Sequence, residues 1–356
     1  MDITVLNRYV KEKRLKRHPH KTLPLFIWNY TEITQAKKLW DDITLACRGL
    51  ITDTNGTIVA RSFPKFFNEP ERPYESTPEF AVEKKVDGSL VVLFCYKGEW
   101  IMASRGAFDS PQAGLASQLL NERYPTLVDH LDADLAYSFE LVHPENRIIV
   151  DYGSDRKLVF LAAFHRDGVE VDRTSLTTLM RRSGVELVPS INIDSFTIIA
   201  DLRAHNTLNE EGYVVRFTTG LRIKVKFARY LDLDRIARKL TPRRVLDLYT
   251  AGVPTFEDLC EKERIPDEFM SWVRAIWENI DRKYAADRVK VEAEYEGLVG
   301  TTRIPKPEFQ ELIKKLDFRK PLSAMYDGQD PRKALLKMIN PNKMVPGAEE
   351  AYNGGS

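Results

Sequence analysis

The sequence predicts an α+β architecture: mixed, mainly antiparallel sheets with interspersed helices, followed by a smaller all-helical domain. Two observations predict it. Short β-rich runs divided by turn dipeptides (Asn55-Gly56, Asp87-Gly88, Lys97-Gly98) fill the first two hundred or so residues. Beyond Tyr230 the apolar spacing becomes helical.

Taken in order, LPLFIWNY (23–30) reads as a strand, and residues 49–63 as a hairpin turning at Asn55-Gly56. EFAVEKKV, SLVVLFCY and EWIMASR (79–105) are three further strands, separated by Asp87-Gly88 and Lys97-Gly98. A helix is expected over 112–123, then strands in LAYSFELV, NRIIVDYG, KLVFLAAFH, EGYVVRF and LRIKVKF. Helical periodicity continues over 231–239, 242–249, 306–316 and 331–338, and from 266 to 284 or beyond. Thr241-Pro242 looks like a helix start. The expected domains are 1–235 and 236–345, with a polar, Gly-rich flexible tail over 346–356.

Composition narrows the function classes. The 356 residues are 43% hydrophobic and 29% charged, the balance of a soluble globular protein. No apolar run reaches membrane-spanning length, and the N-terminus lacks a signal-peptide core, so a cytoplasmic protein with no membrane partner is expected. Cys47, Cys95 and Cys260 lack the spacing of a zinc site or a disulfide framework. The net charge of +1 hides basic runs at 11–21 (KEKRLKRHPHK) and 221–244. One such run reads as a solvated face; two flanking a phosphate-handling motif point towards a polyanion.

That motif is Lys85-Val86-Asp87-Gly88-Ser89, a K-x-D-G placed between two strands. Alone it is weak, because Asp-Gly is a common turn and lysine a common surface residue. Its weight comes from the ordered set of elements downstream in the chain: Ser104-Arg105-Gly106, Glu140 within FELV, Glu211 opening EGYVV, and Lys224-Val225-Lys226. Side chains two apart on a strand share a face, roughly 7 Å apart. Leu221, Ile223, Val225 and Phe227 are expected on the opposite face, leaving the lysines where an anion must neutralise them.

This order resembles the covalent nucleotidyltransferase superfamily of ATP-dependent ligases and capping enzymes, and most closely its phage-type RNA ligase 1 branch. Arg48 in CRGLITD, Lys65 in ARSFPKFFN, Tyr30 in WNYT and HPENRIIVDYG after Glu140 fit the branch's pattern, and the likeness covers about residues 24–230. DNA ligases and capping enzymes usually carry arginine where this chain has Leu90, and append a β-barrel where this chain turns helical. At Arg105 the family often has lysine.

The resemblance implies a nucleotidyltransferase domain and an RNA ligase that uses ATP with Mg²⁺ or Mn²⁺. Lys85 would be the nucleophile that accepts AMP; Lys224 and Lys226 would hold the α-phosphate and the leaving pyrophosphate. Arg48 and Lys65 would grip the outer phosphates, with Lys84 beside them in the ATP site. Glu140 would accept a ribose hydroxyl with help from Arg105, Val214 would pack on adenine, and Tyr30 would complete the nucleotide site. Glu211 would support the metal, directly or through water. Crowding by cations is expected to strip the proton from Lys85. The implied partner is RNA with 5′-phosphate and 3′-hydroxyl ends, a nicked tRNA being one candidate. Because no G-x-x-x-x-G-K-[ST] loop occurs, a separate kinase/phosphatase would heal the ends. A DNA ligase, a capping guanylyltransferase and an inactive RNA-binding relative remain the alternatives.

Overall fold

Apolar periodicity of two on both faces is what builds the centre of this protein. In Ser89–Tyr96, Val91 and Leu93 point to one side and Val92 and Phe94 to the other, and all four are buried. The computed structural model describes residues 1–69, 71, 79–192, 207, 209–263, 265, 267–300 and 304–344. It divides into two compact units, Met1–Leu231 and Asp232–Ser356.

The first unit holds three sheets. The N-terminal sheet is a meander of β1 (Leu15–Pro19), β2 (Leu25–Tyr30), β3 (Arg48–Asp53) and β4 (Ile58–Ala60). The central sheet has the order β11 (Glu186–Leu187), β10 (Lys157–Phe164), β9 (Ala136–Val142), β7 (Ser89–Tyr96), β8 (Glu99–Ser104). The third has the order β12 (Ser190–Ile191), β6 (Phe80–Lys84), β13 (Gly212–Phe217), β14 (Arg222–Lys226), β5 (Phe67–Asn68). Pairings are antiparallel except β10–β11 and β14–β5. One face of the central sheet packs on α4 (Pro111–Arg123) and α5 (Arg173–Arg182) through Leu119, Tyr137, Phe139 and Phe160. Its other face meets the N-terminal sheet through Ile27, Ile51, Val92 and Phe94.

Two expectations fail for instructive reasons. The Lys97-Gly98 hairpin forms with both residues at positive φ, but Asp87-Gly88 closes no hairpin. β6 and β7 belong to different sheets, and the Lys85–Gly88 segment carries the chain between them. Residues 146–153 form no strand, because the amides of Ile149 and Val150 donate to the Asp87 carboxylate, each at 2.8 Å, rather than to a ladder. Leu221, expected inside, is exposed at the turn before β14, whereas Ile223, Val225 and Phe227 are buried. The helices α1 (Ile3–Lys11), α2 (Glu32–Lys37) and α3 (Asp42–Ala46) are additions, the first started by Asp2 accepting from the Thr4 amide.

The second unit is helical among its described residues. The helix α6 (Ala228–Lys239) leads into it, followed by α7 (Pro242–Thr250), α8 (Phe256–Glu263), the long α9 (Asp267–Val299), α10 (Lys306–Leu312), α11 (Arg319–Tyr326) and α12 (Arg332–Leu336). Thr241 caps α7 through the Arg244 amide, as the Thr-Pro signal suggests. Val245, Ile276, Ile280, Phe309 and Leu335 are buried, while Lys314, Lys315, Arg319 and Lys320 are exposed. The tail expected over 346–356 lies outside the described residues. Among the described residues no helix is long and apolar enough to cross a membrane.

Gly88 and Gly98 separate two uses of glycine. A Cβ on Gly88 would come 2.3 Å from the Leu141 carbonyl oxygen, a backbone atom that cannot yield cheaply. Gly98 has open space and only its φ of +87° to satisfy. Gly88→Ala should therefore cost about 3 kcal/mol of unfolding free energy, and Gly98→Ala about 1 kcal/mol. Chemical denaturation measures both, and equal costs would refute the close-approach argument.

Candidate active site

The register of the third sheet sets out the site in rows. Lys224 on β14 lies opposite Val214 on β13, which lies opposite Glu83 on β6. One row along, Lys226 pairs with Gly212, and the Lys85 amide donates to the Gly212 carbonyl at 2.8 Å. The bare Gly212 between them leaves no room for a side chain, since a Cβ there would come 2.1 Å from the Val225 carbonyl oxygen. The preceding residue, Glu211, fills the gap with its carboxylate. Its Oε2 accepts from Lys85 Nζ and its Oε1 from Lys226 Nζ, each at 2.7 Å.

A cavity of about 460 Å³ opens over the first of these rows, lined from all three sheets; Lys226 lines neither this cavity nor the smaller one beside it. Lys85, Lys84, Arg48, Arg105, Lys224, Glu140 and Val214 all line it. Glu211 does not; it lines a smaller cavity of about 180 Å³ on the other side of Lys85 and Lys84. Lys65 and Tyr30 are outside both. Lys65 Nζ lies over the rings of Phe67, Trp40 and Tyr30 at 5.0, 5.4 and 5.7 Å. Lys84 is exposed and paired with Glu210 at 2.6 Å.

The charges are unevenly compensated. Lys224 Nζ has no ion pair or hydrogen bond among the described residues and lies 4.4 Å from the centroid of the Phe66 ring. Burial, then Arg48, Lys85, Lys65 and Lys226, push its pKa down to about 6. Arg48 Nη1 is buried without a partner. Burial, then Arg105, lowers the Arg48 guanidinium as well. Lys65 is lowered by burial, with Arg48 and Arg105 adding to it against Glu71. Burial likewise pushes the Glu140 carboxyl up to about 7, against the pull of Lys85 and Arg48.

Lys85 departs from the expectation. Burial alone would lower its pKa, but the carboxylates of Glu211, Glu140 and Asp87 outweigh burial and raise it. The cation-crowded lysine is Lys224. Sequence spacing placed cations around Lys85 and missed that a glutamate 126 residues away is its nearest partner.

Asp87 belongs to the K-x-D-G motif itself; the other positioning residues carry no signal in the motif spacing. Asp87 is buried; its Oδ2 accepts the Ile149 and Val150 amides and its Oδ1 accepts the Tyr230 hydroxyl at 2.8 Å. In WNYT the motif singles out Tyr30, but its neighbour Asn29 does the bracing. Buried Asn29 accepts from the Gly49 amide and donates to the Arg105 carbonyl at 2.7 Å, fixing Arg48 and Arg105 side by side. Glu83 is held by Arg173 at 2.5 Å, and Arg222 by Glu170 at 2.6 Å. Both Glu83 and Arg222 line the cavity. Buried polar atoms must be paired, but the pairs join distant segments, which spacing does not reveal.

Among the described residues no group of three or more His, Cys, Asp or Glu forms a dedicated cation cage. Glu140, which lines the cavity, fits an ion of the Mg²⁺ type that completes its shell with phosphates and water; Glu211, both of whose oxygens accept from lysines, fits such an ion through water.

Known proteins offer a comparison. An RNA ligase of Rhodothermus phage RM378 is 23% identical, over 58% of this chain and 63% of its own length. A protein of Autographa californica nuclear polyhedrosis virus, described as a bifunctional polynucleotide kinase/RNA ligase, is 26% identical over 39% of this chain and 24% of its own. The chain thus spans less than two thirds of each relative. A solved Naegleria gruberi RNA ligase variant with ATP and Mn has a TM-score of 0.38 at 14% identity, over 44% of this chain and 51% of that one. The model of the RNA ligase family matches residues 46–230, from just before Arg48 to Tyr230, and so takes in the whole row of lysines. By that match, over more than half of its length, the chain belongs to the RNA ligase family.

Proposed function

We propose that the chain is an ATP-dependent RNA ligase that joins 5′-phosphate and 3′-hydroxyl RNA ends through an AMP carried on Lys85. The observation that carries this reading is the uncompensated Lys224 and Arg48 Nη1 lining the same cavity as Lys85. Largely desolvated basic groups with hydrogen-bond donors left unused form a receptor for a polyphosphate. Val214 offers an apolar seat for adenine beside them, and family membership supports the choice of reaction.

The chemistry asks for positioning and charge neutralisation. Lys85 Nζ, once it gives up a proton, attacks the α-phosphorus of ATP; the N–P bond forms, the P–O bond to the β-phosphate breaks, and pyrophosphate departs. Lys224, Arg48 and Lys65, with Arg105 and Lys84, receive the negative charge, and Glu140 accepts a ribose hydroxyl. Tyr30 acts at one remove, through its side-chain contact with the Arg48 guanidinium and through its ring beside Lys65. The 5′-phosphate of an RNA end then attacks the same phosphorus and releases Lys85. Finally a 3′-hydroxyl attacks that end, forming the phosphodiester and releasing AMP. Mg²⁺ or Mn²⁺, held by Glu211 or Glu140 with the phosphates, would supply charge neutralisation at the reacting phosphate. Glu211 also anchors Lys226.

The further parts of the reading are assigned on chemistry alone. Exposed Lys314, Lys315, Arg319 and Lys320 give the helical domain a basic surface for choosing the RNA, a nicked tRNA among the candidates. Ends needing repair would be healed by a separate kinase/phosphatase, in the cytoplasm of a bacterium or of a phage-infected host.

Intact mass after incubation with ATP and Mg²⁺ tests the core of this reading. Wild type should gain one AMP and Lys85→Ala none. A gain with GTP instead would indicate capping, and no gain with any nucleotide would remove the ligase reading.

Lys224, with a pKa of about 6, is largely neutral at pH 8, and a bound polyphosphate favours its charged form. Pyrophosphate affinity should therefore rise as pH falls from 8 towards 6, with proton uptake visible by calorimetry in buffers of different ionisation heat. Lys224→Met should lose that uptake.

Glu140 has the opposite sign. Its folded pKa of about 7, against an ordinary 4.5, means that its stabilising contribution is present below 4.5 and lost as pH rises through 7. Glu140→Gln should thus be more stable than wild type at pH 8 by on the order of 2 kcal/mol, and no more stable at pH 4. It should also adenylylate more slowly. Melting curves at the two pH values decide.

A further inference from the structure

Lys85 and Asp87 stand two residues apart, yet a circuit of contacts through other elements also joins them. Lys85 Nζ donates to Glu211 Oε2, and Glu211 Oε1 accepts from Lys226 Nζ. Lys226 Nζ lies 4.7 Å from the centroid of the Tyr230 ring. The Tyr230 hydroxyl then donates to Asp87 Oδ1 at 2.8 Å, which returns the circuit to the loop where it began. Asp87 and Tyr230 are 5% and 3% exposed, so water is a poor substitute for this contact.

We propose that Tyr230 is a positioning residue for transfer of AMP to Lys85, its hydroxyl holding the nucleophile's loop and its ring holding Lys226. The proposal rests on the ligase reading. The reason lies in what the reaction undoes. To attack phosphorus, Lys85 must give up a proton and turn its nitrogen away from Glu211, which opens the circuit at that point. What then keeps the loop in place is Asp87, bound by the Ile149 and Val150 amides on one oxygen and by Tyr230 on the other. Lys226 keeps Glu211 on one side and the Tyr230 ring on the other. Tyr230 is not among the residues that line the cavity, and it meets the site through Asp87 and Lys226. Leu90 and Gly88 brace the far side of the same loop, Leu90 accepting the Arg105 amide and Gly88 lying against the Leu141 carbonyl.

The test is single-turnover adenylylation of the full chain, followed by intact mass over a range of ATP concentrations, for wild type, Tyr230→Phe, Asp87→Asn and the double variant. Thermal melting is recorded in parallel. A loop displaced by about an ångström costs on the order of 10- to 100-fold in rate. Tyr230→Phe and Asp87→Asn should each show that loss in the maximal rate, with the half-saturating ATP concentration within about threefold of wild type. The double variant should be no slower than the slower single one, because both cut the same contact. Tyr230→Leu, which also removes the ring from Lys226, should be slower than Tyr230→Phe. Full activity in Tyr230→Phe, or additive losses in the double variant, would overturn the proposal. So would a rise in half-saturating ATP that tracks a fall in melting temperature, since that is the mark of general loosening. A wild-type protein that takes up no AMP would overturn the ligase reading and this proposal with it.

Discussion

One carboxylate, that of Glu211, compensates two lysines at once. It is 3% exposed, and each oxygen accepts from a different ammonium group at 2.7 Å. Removing a charge from water is costly unless a partner offsets it, and Glu211, lying between them, is the carboxylate that lets Lys85 and Lys226 both be largely covered. That arrangement depends on sheet register. Gly212 faces Lys226, and the Lys85 amide bonds to the Gly212 carbonyl. A slip of one residue in β13 would turn Val214 away from the cavity and move Glu211 out of reach of both lysines.

Glu211 is fully engaged beside the cavity, and the cavity itself carries more basic groups than carboxylates. Lys224 has no ion pair or hydrogen bond among the described residues and Arg48 Nη1 no hydrogen-bond partner, while burial, helped by Glu211 and Asp87, raises the Glu140 carboxyl to about 7. The same wall thus carries a lysine with no carboxylate paired to it and a carboxyl held close to neutrality. This polarisation suits a ligand that brings phosphates to one end and hydroxyl groups to the other, as the proposed substrate does. It also costs the fold stability, which binding of a nucleotide would restore.

Positioning is delegated to buried polar groups that never reach the cavity's reactive end. Asn29 ties the Gly49 amide to the Arg105 carbonyl. Asp87 gathers two amides and a phenol. Arg173 braces Glu83. Each holds a charged cavity residue from behind, and each joins segments that belong to different sheets or helices.

Much of this protein is legible in its sequence. Period-two alternation located β2, β7, β9 and β10, helical periodicity located α7 and α9, and the ordered motifs pointed to Lys85, Arg48, Glu140, Val214 and Lys224, which do line one cavity. These are local signals: strand and helix period, and residue type at fixed spacing. The sequence could not place Lys65 among aromatic rings outside that cavity, nor turn residues 146–153 from a strand into a loop that feeds Asp87. It also could not reverse the expected electrostatics of Lys85 and Lys224. Those outcomes depend on which groups meet across separations such as 62 residues from Asp87 to Ile149 and 126 from Lys85 to Glu211, and on the local desolvation that results. Both are properties of packing, and only the tertiary structure decides them.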